Sequence, residues 1–173
     1  MDFSKIKAFA FDIDGVMTDG GIMALPDGDL LRVFDAKDAF ALRMAALNGF
    51  TLATITGGRS ESIRKRMKIC GVKEEDVYLN SRCKIRDFED FCHRHSFDTE
   101  EVMYFGDDIP DVEVLKVAGI GVAPSDACLE AKAAADLVSP FPGGKWCVRD
   151  TIEQVLRAQG KWQFDSTEYE KVF

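Results

Sequence analysis

Phe9-Ala10-Phe11-Asp12-Ile13-Asp14-Gly15-Val16-Met17-Thr18-Asp19-Gly20 is the stretch from which the rest of the chain can be read. The apolar run from Ala8 to Phe11 predicts a strand buried on both faces, as in a parallel sheet. It stops at two carboxylates, two residues apart, followed by a glycine. Paired like charges at the end of a buried strand repel, and a bound cation neutralises them. In an open α/β sheet the carboxyl end of a strand is also where ligands bind. A calcium loop of the EF-hand type does not fit, because Val16 stands at the third ligand position and a strand precedes the loop. The bland alternative, an acidic turn with no ligand, leaves the like-charge pair unexplained.

The 173 residues suit one domain with a substantial core. A net charge of −8 argues against nucleic-acid partners and against attraction to anionic membranes. Any anionic substrate must then be held by local cations or a metal. No apolar stretch is long enough to span a bilayer, and the first residues lack the apolar core of a secretory signal. Cys70, Cys83, Cys92, Cys128 and Cys147 are odd in number, scattered and free of any C-x-x-C pattern. They predict a reduced, cytoplasmic protein in which thiols serve as small core residues.

Beyond the first motif, Pro26-Asp27-Gly28-Asp29 separates two apolar runs and predicts a β-hairpin over about 20–34. Both arms are apolar, and a lone hairpin is marginal in water, so a packing partner such as another subunit is expected. The spacing then predicts a helix over 36–48 capped by Gly49, and a buried strand over 50–55 ending at Thr56-Gly57-Gly58-Arg59. A helix capped by Ser60 follows to Ile69. Next come a short strand at 77–79, a helix over 84–95 and a strand at 102–105 ending at Gly106-Asp107-Asp108-Ile109-Pro110-Asp111. Pro110 suits the first turn of a helix. Short strands and helices then alternate to a last helix over 148–159. The alternation predicts an α/β fold with a doubly wound parallel sheet in a single domain over 1–160, leaving 161–173 as a polar, loosely held C-terminal tail. No insertion is large enough to form a lid domain.

Parallel strands bring their carboxyl ends to one edge, so Asp12, Asp14, Thr56, Asp107 and Asp108 are expected to share a cleft, with Lys84 within reach. Several carboxylates suit a hard cation such as Mg²⁺, and a lysine with a threonine suits a phosphoryl group. This ordered set resembles the haloacid dehalogenase (HAD) superfamily of phosphatases, whose fold is a Rossmann-like sheet; here it lacks a cap. The resemblance runs through Asp12-x-Asp14-Gly15-Val16 with Thr18-Asp19-Gly20, Thr56-Gly57, Lys84 and Gly106-Asp107-Asp108-x-x-Asp111. It implies that Asp12 is the nucleophile and forms an aspartyl-phosphate. Asp14 is then the general acid and, later, the base. Thr56 and Lys84 hold phosphoryl oxygens, and Asp12, the Asp14 carbonyl and Asp107 bind Mg²⁺. The implied roles agree with elementary requirements: a covalent intermediate splits a hard step, and cations offset charge on the transferring group.

The hairpin, the missing cap and the late Gly143-Gly144 loop further resemble the 3-deoxy-D-manno-octulosonate 8-phosphate (KDO 8-P) phosphatases of lipopolysaccharide biosynthesis. That resemblance implies a cytoplasmic homotetramer whose hairpins form a central barrel, with a neighbour covering each active site. The substrate would be a small phosphorylated sugar acid. Trp146 departs from the small residue usual in the family's late loop. Gly57, Gly58, Arg59 and Arg66 are the substrate-binding candidates, the arginines for the sugar carboxylate or phosphate, although Arg64-Lys65-Arg66 also reads as a solvated helix face. Gly58 leaves no side chain for a longer sugar, favouring the eight-carbon substrate over sialic-acid or KDN-type 9-phosphates. Two further classes are weighed. A signalling receiver domain would need an aspartate after the third strand, where Asn80 and Ser81 stand. A non-catalytic regulatory subunit of a sugar-nucleotide enzyme would not need all five of Asp12, Asp14, Thr56, Lys84 and Asp107.

Overall fold

In a computed structural model describing residues 1–173, the opening apolar run forms β1 (Ala8–Phe11). Its pleat divides it between two cores: Phe9 and Phe11 face one cluster, Ala8 and Ala10 the other. The predicted hairpin follows as β2 (Met23–Ala24) and β3 (Leu30–Leu31), paired antiparallel apart from the main sheet. Its turn is closed by Gly28 N donating to Leu25 O and Leu25 N to Asp29 O, both at 2.9 Å. Ile22, Met23, Leu31 and Val33 are exposed along its arms, Val33 to 77%.

α1 (Ala36–Leu47) starts where the Asp35 carboxylate accepts from Lys37 N and Asp38 N, and ends before Gly49, which takes φ 84°. Next come β4 (Thr51–Ile55), α2 (Glu61–Ile69), β5 (Val77–Tyr78), α3 (Lys84–His95), β6 (Val102–Phe105) and α4 (Val112–Val117). β7 (Ile120–Ala123), α5 (Leu129–Ala134), β8 (Leu137–Val138) and α6 (Cys147–Ala158) complete the alternation. The main sheet runs β5-β4-β1-β6-β7-β8, every pairing parallel. Connections run outward in both directions from β1, which makes its carboxyl end the switch point at which a doubly wound sheet opens a crevice. Residues of α1, α2 and α6 fill one core; residues of α3, α4 and α5 fill the other. α6 buries Val148, Thr151, Ile152, Val155 and Leu156, the spacing of an amphipathic helix.

One segment differs from its sequence reading. The tail after Gly160 carries a helix, α7 (Ser166–Val172), held to α1 by aromatic contacts of Phe40 with Phe164 and Tyr169. Arg43 Nη1 donates to Tyr169 OH at 2.7 Å. The anchors are aromatic residues scattered among charges, and seven residues are too few to display a periodic stripe. His95 Nε2 lies 2.8 Å from Oδ1 of the buried Asp76, and its ring stacks on Phe97. All five cysteines are free thiols. No helix is long and apolar enough to cross a membrane.

Candidate active site

The carboxyl ends of β1, β4 and β6 surround a polar cavity of about 320 Å³. Asp12 and Asp14 line it from the β1 turn, Thr56, Gly57 and Gly58 from the end of β4, and Asp107, Asp108 and Asp111 from the end of β6. Ser81, Arg82 and Lys84 complete it from the turn into α3. The structure thus gathers Asp12, Asp14, Thr56, Gly57, Gly58, Lys84 and Asp107. Arg59 and Arg66 are not among the lining residues. Arg59 is exposed, and Arg66 lies over the Phe34 ring at 5.7 Å.

Lys84 is the electrostatic hub. Its Nζ lies 2.7 Å from Asp12 Oδ2 and 2.7 Å from Asp111 Oδ1. Burial works against the ammonium, but the two carboxylates more than offset it and hold its pKa above the usual lysine value. Asp111 is fully buried and also accepts from Tyr104 OH at 2.5 Å and from the amides of Asp107 and Asp108 at 3.3 Å. Its task is to hold Lys84 and the β6 turn in place.

One lysine does not balance the acids. Donor oxygens of Asp12, Asp107 and Asp111 all lie within 4.8 Å of one another. Burial, countered in part by Lys84, pushes Asp12 up to about 6. Burial with the charges of Asp12 and Asp111 pushes Asp107 up to about 7. Asp107 Oδ1 is buried without a hydrogen-bond partner, and the Asp14 carbonyl oxygen accepts no hydrogen bond from the chain. This donor set fits a hard divalent cation held by oxygen ligands. Gly15, at φ 90°, makes room for the Asp107 carboxylate: a Cβ there would stand 2.0 Å from Asp107 Oδ2.

Asp14 faces the cavity from the other side of the turn. Arg32, just beyond β3, grips it with both arms, Nε to Oδ1 at 2.6 Å and Nη2 to Oδ2 at 2.9 Å. The Arg32 side chain is only 3% exposed. Gly58 accommodates this guanidinium, since a Cβ at 58 would lie 3.2 Å from Arg32 Nη2 and 2.8 Å from Ile63 Cδ1. Thr56 Oγ1 accepts from Gly58 N at 3.1 Å, fixing the turn after β4.

The Gly143-Gly144 loop braces the β1 turn backbone against backbone. Gly144 N donates to Val16 O at 2.8 Å, and a Cβ on Gly143 would stand 1.9 Å from Gly15 O. Trp146, just before α6, occupies its N-cap position at φ 80° and supplies no side-chain cap. The buried Asp38 of α1 does so instead, accepting from Trp146 N at 3.2 Å and Arg149 N at 2.7 Å. Burial outweighs these bonds and raises Asp38 to about 6.

Sequence reasoning passed over Arg32, Asp38, Ser81 and Arg82. Arg32 and Asp38 lie on elements whose packing across the chain alone brings them to the site. Ser81 and Arg82 were legible only as neighbours of Lys84.

Known proteins resemble this chain in sequence and fold. The haloacid dehalogenase-like hydrolase family profile matches residues 74–142. The 3-deoxy-D-manno-octulosonate 8-phosphate phosphatase KdsC of Escherichia coli K12 is 31% identical over 157 residues, spanning 91% of this chain and 82% of that protein. The crystal structure of the Moraxella catarrhalis KDO 8-P phosphatase, in complex with magnesium, phosphate and KDO, superposes with a TM-score of 0.88 at 28% identity, covering 92% of this chain and 91% of that one. A HAD-superfamily (subfamily III A) hydrolase from Legionella pneumophila gives 0.91 at 29% identity over 98% and 92% of the two chains. The chain belongs to the KDO 8-P phosphatase family of haloacid dehalogenase-like hydrolases, and is a phosphoric monoester hydrolase.

Proposed function

We propose that this enzyme hydrolyses a sugar-acid phosphate, KDO 8-P in first place, through an aspartyl-phosphate on Asp12. The observation that carries the reading is the placement of Asp12 at the base of a polar cavity, with Lys84 at 2.7 Å and Asp14 two residues on. Thr56 Oγ1, the Gly57 amide and Lys84 orient the phosphoryl oxygens for in-line attack. An Asp12 carboxylate oxygen bonds to phosphorus as the ester P–O bond breaks, and Asp14, paired with Arg32 in its ionised form, acts from its protonated form to deliver a proton to the departing sugar oxygen. Asp14, now ionised, takes a proton from water as that water attacks phosphorus. Phosphate leaves, and both aspartates return to their starting states. Asp12, Asp107 and the Asp14 carbonyl would hold Mg²⁺, which when bound supplies positive charge between the anionic nucleophile and the anionic phosphate.

A homotetramer is part of the same reading, supported by the exposed apolar residues of the hairpin. Its test is the mass in solution: four chains are expected, and a monomer at micromolar concentration contradicts it. The decisive experiment for activity is phosphate release from 8-phosphate and 9-phosphate sugar acids, with EDTA and with Mg²⁺ restored. Fastest metal-dependent turnover of KDO 8-P is expected. Faster turnover of a nine-carbon 9-phosphate would reassign the substrate, and no turnover of any sugar-acid phosphate would overturn the reading.

A further inference from the structure

The acids around the cavity leave almost no cation free. Lys84 is shared between Asp12 and Asp111, and Arg32 has both arms on Asp14. Arg82 is the exception. It lines the same cavity, it is exposed, and no carboxylate pairs with it. Its one partner is neutral: Nη2 donates to Asn80 Oδ1 at 2.8 Å.

The loop that carries Arg82 is stitched to the turn after β4. Asn80 N donates to Gly58 O at 2.8 Å and Ser81 N to Thr56 O at 2.9 Å. Asn80 adopts φ 55°, a left-handed conformation that asparagine tolerates better than most residues. From there its side chain holds the guanidinium beside Gly57, where a Cβ would stand 3.9 Å from Arg82 Nη1. Ser81, next in line, is buried with its hydroxyl unpartnered at the cavity wall. A pre-oriented guanidinium with its Nη1 edge free is the group best suited to bidentate capture of a carboxylate.

We propose that Arg82 selects acidic substrates, receiving the carboxylate of the leaving group while the phosphoryl end sits between Thr56 and Lys84. This rests on the sugar-acid reading above. A second anionic group entering a cavity already rich in carboxylates is repelled unless a cation lies on its path. Arg82 is the lining cation that no acid already claims. Arg59 and Arg66, the residues that sequence position favours for this task, do not line the cavity.

The test measures kcat/KM of the full-length protein with Mg²⁺ on KDO 8-P and on the same sugar phosphate with its carboxylate reduced to an alcohol. Wild type, Arg82→Ala and Arg82→Lys are compared, with thermal melts to show that each is folded. Wild type is expected to favour the acid. Arg82→Ala should lose about 10- to 100-fold on the acid, the scale of one charged hydrogen-bonded contact, chiefly through KM. The loss on the neutral ester should be at least tenfold smaller, and Arg82→Lys should recover part of the difference. Equal losses on both esters would assign Arg82 to the phosphoryl group or to scaffolding and overturn the proposal. So would an acid preference that survives Arg82→Ala, leaving the sugar-acid reading intact. A wild type with no preference for the acid would overturn both.

Discussion

Arg32 and Asp14 form a two-pronged ion pair, Nε to Oδ1 at 2.6 Å and Nη2 to Oδ2 at 2.9 Å, linking the exposed hairpin to the acid of the β1 turn. A bidentate fork fixes the direction of a carboxylate as well as its charge. Lysine offers only a point charge. Arg32→Lys should therefore keep the fold but lower kcat on KDO 8-P by on the order of 10²-fold, the scale of a catalytic group misplaced by about 1 Å. Steady-state kinetics with a thermal melt checks this, and wild-type kcat would free Asp14 from dependence on Arg32.

Asp14→Asn removes the proposed proton carrier and leaves Asp12 in place. Turnover should fall by about 10²- to 10⁴-fold, the usual contribution of a general acid–base group. Because water activation is lost too, phosphorylated enzyme should accumulate with a substrate that has a good leaving group. Intact-mass measurement after rapid acid quench detects it, whereas Asp12→Asn should show no such adduct. An adduct on the Asp12→Asn protein would place the nucleophile elsewhere.

Gly15→Ala puts a methyl group where Asp107 Oδ2 now lies, 2.0 Å from the Cβ position, on a backbone at φ 90°. Asp107 must swing away or the turn must unwind. Mg²⁺ affinity measured by calorimetry should drop by at least tenfold even if the variant folds. Unchanged affinity would remove Asp107 from the metal site.

Asp38→Ala strips the partner from two amides at the start of α6, those of Trp146 and Arg149. Leaving buried donors unsatisfied costs about 1–3 kcal/mol each. A loss of about 2–3 kcal/mol, or a Tm lower by roughly 4–12 °C for a chain of this size, is expected. A denaturant titration gives the value directly.

The raised carboxyls set the pH dependence of the metal-free protein. Asp12 and Asp38 are pushed to about 6 and Asp107 to about 7, against about 3.9 for an unfolded aspartate. Each binds its proton more tightly when folded, so its contribution is fully present below about pH 4 and is lost as pH rises through 6–7. The exposed carboxylates Asp29 and Asp90, held low by hydrogen bonds, contribute above about pH 4 and weaken only below it. In EDTA the Tm should therefore fall between about pH 5 and pH 8. Mg²⁺ binds the ionised acids and should reverse most of that fall at pH 8. A Tm that rises over this range in EDTA would contradict the assigned shifts.

Much of the fold was legible because its signals are local. Buried strands read as unbroken apolar runs, and the helices of the alternating core carry caps or a 3.6-residue stripe. Acids placed one or two residues after Phe11 and Phe105 marked the switch point and hence Asp12, Asp14 and Asp107. Thr56 and Lys84 were legible through their position at comparable strand and helix ends. The helix at 166–172 was not, since its few aromatic contacts with α1 count only once α1 is in place.

The sequence by itself determined the sheet, the strand-end acids and their gathering at one edge, because parallel strands leave no other place for their carboxyl ends. Tertiary structure decided which cations those acids keep. Arg32 claims Asp14, Lys84 is divided between Asp12 and Asp111, and Arg82 stands unclaimed in the cavity while Arg59 and Arg66 stay outside it. An ion pair depends on where two side chains end in space, and separations such as the 18 residues between Asp14 and Arg32 carry no trace of that along the chain.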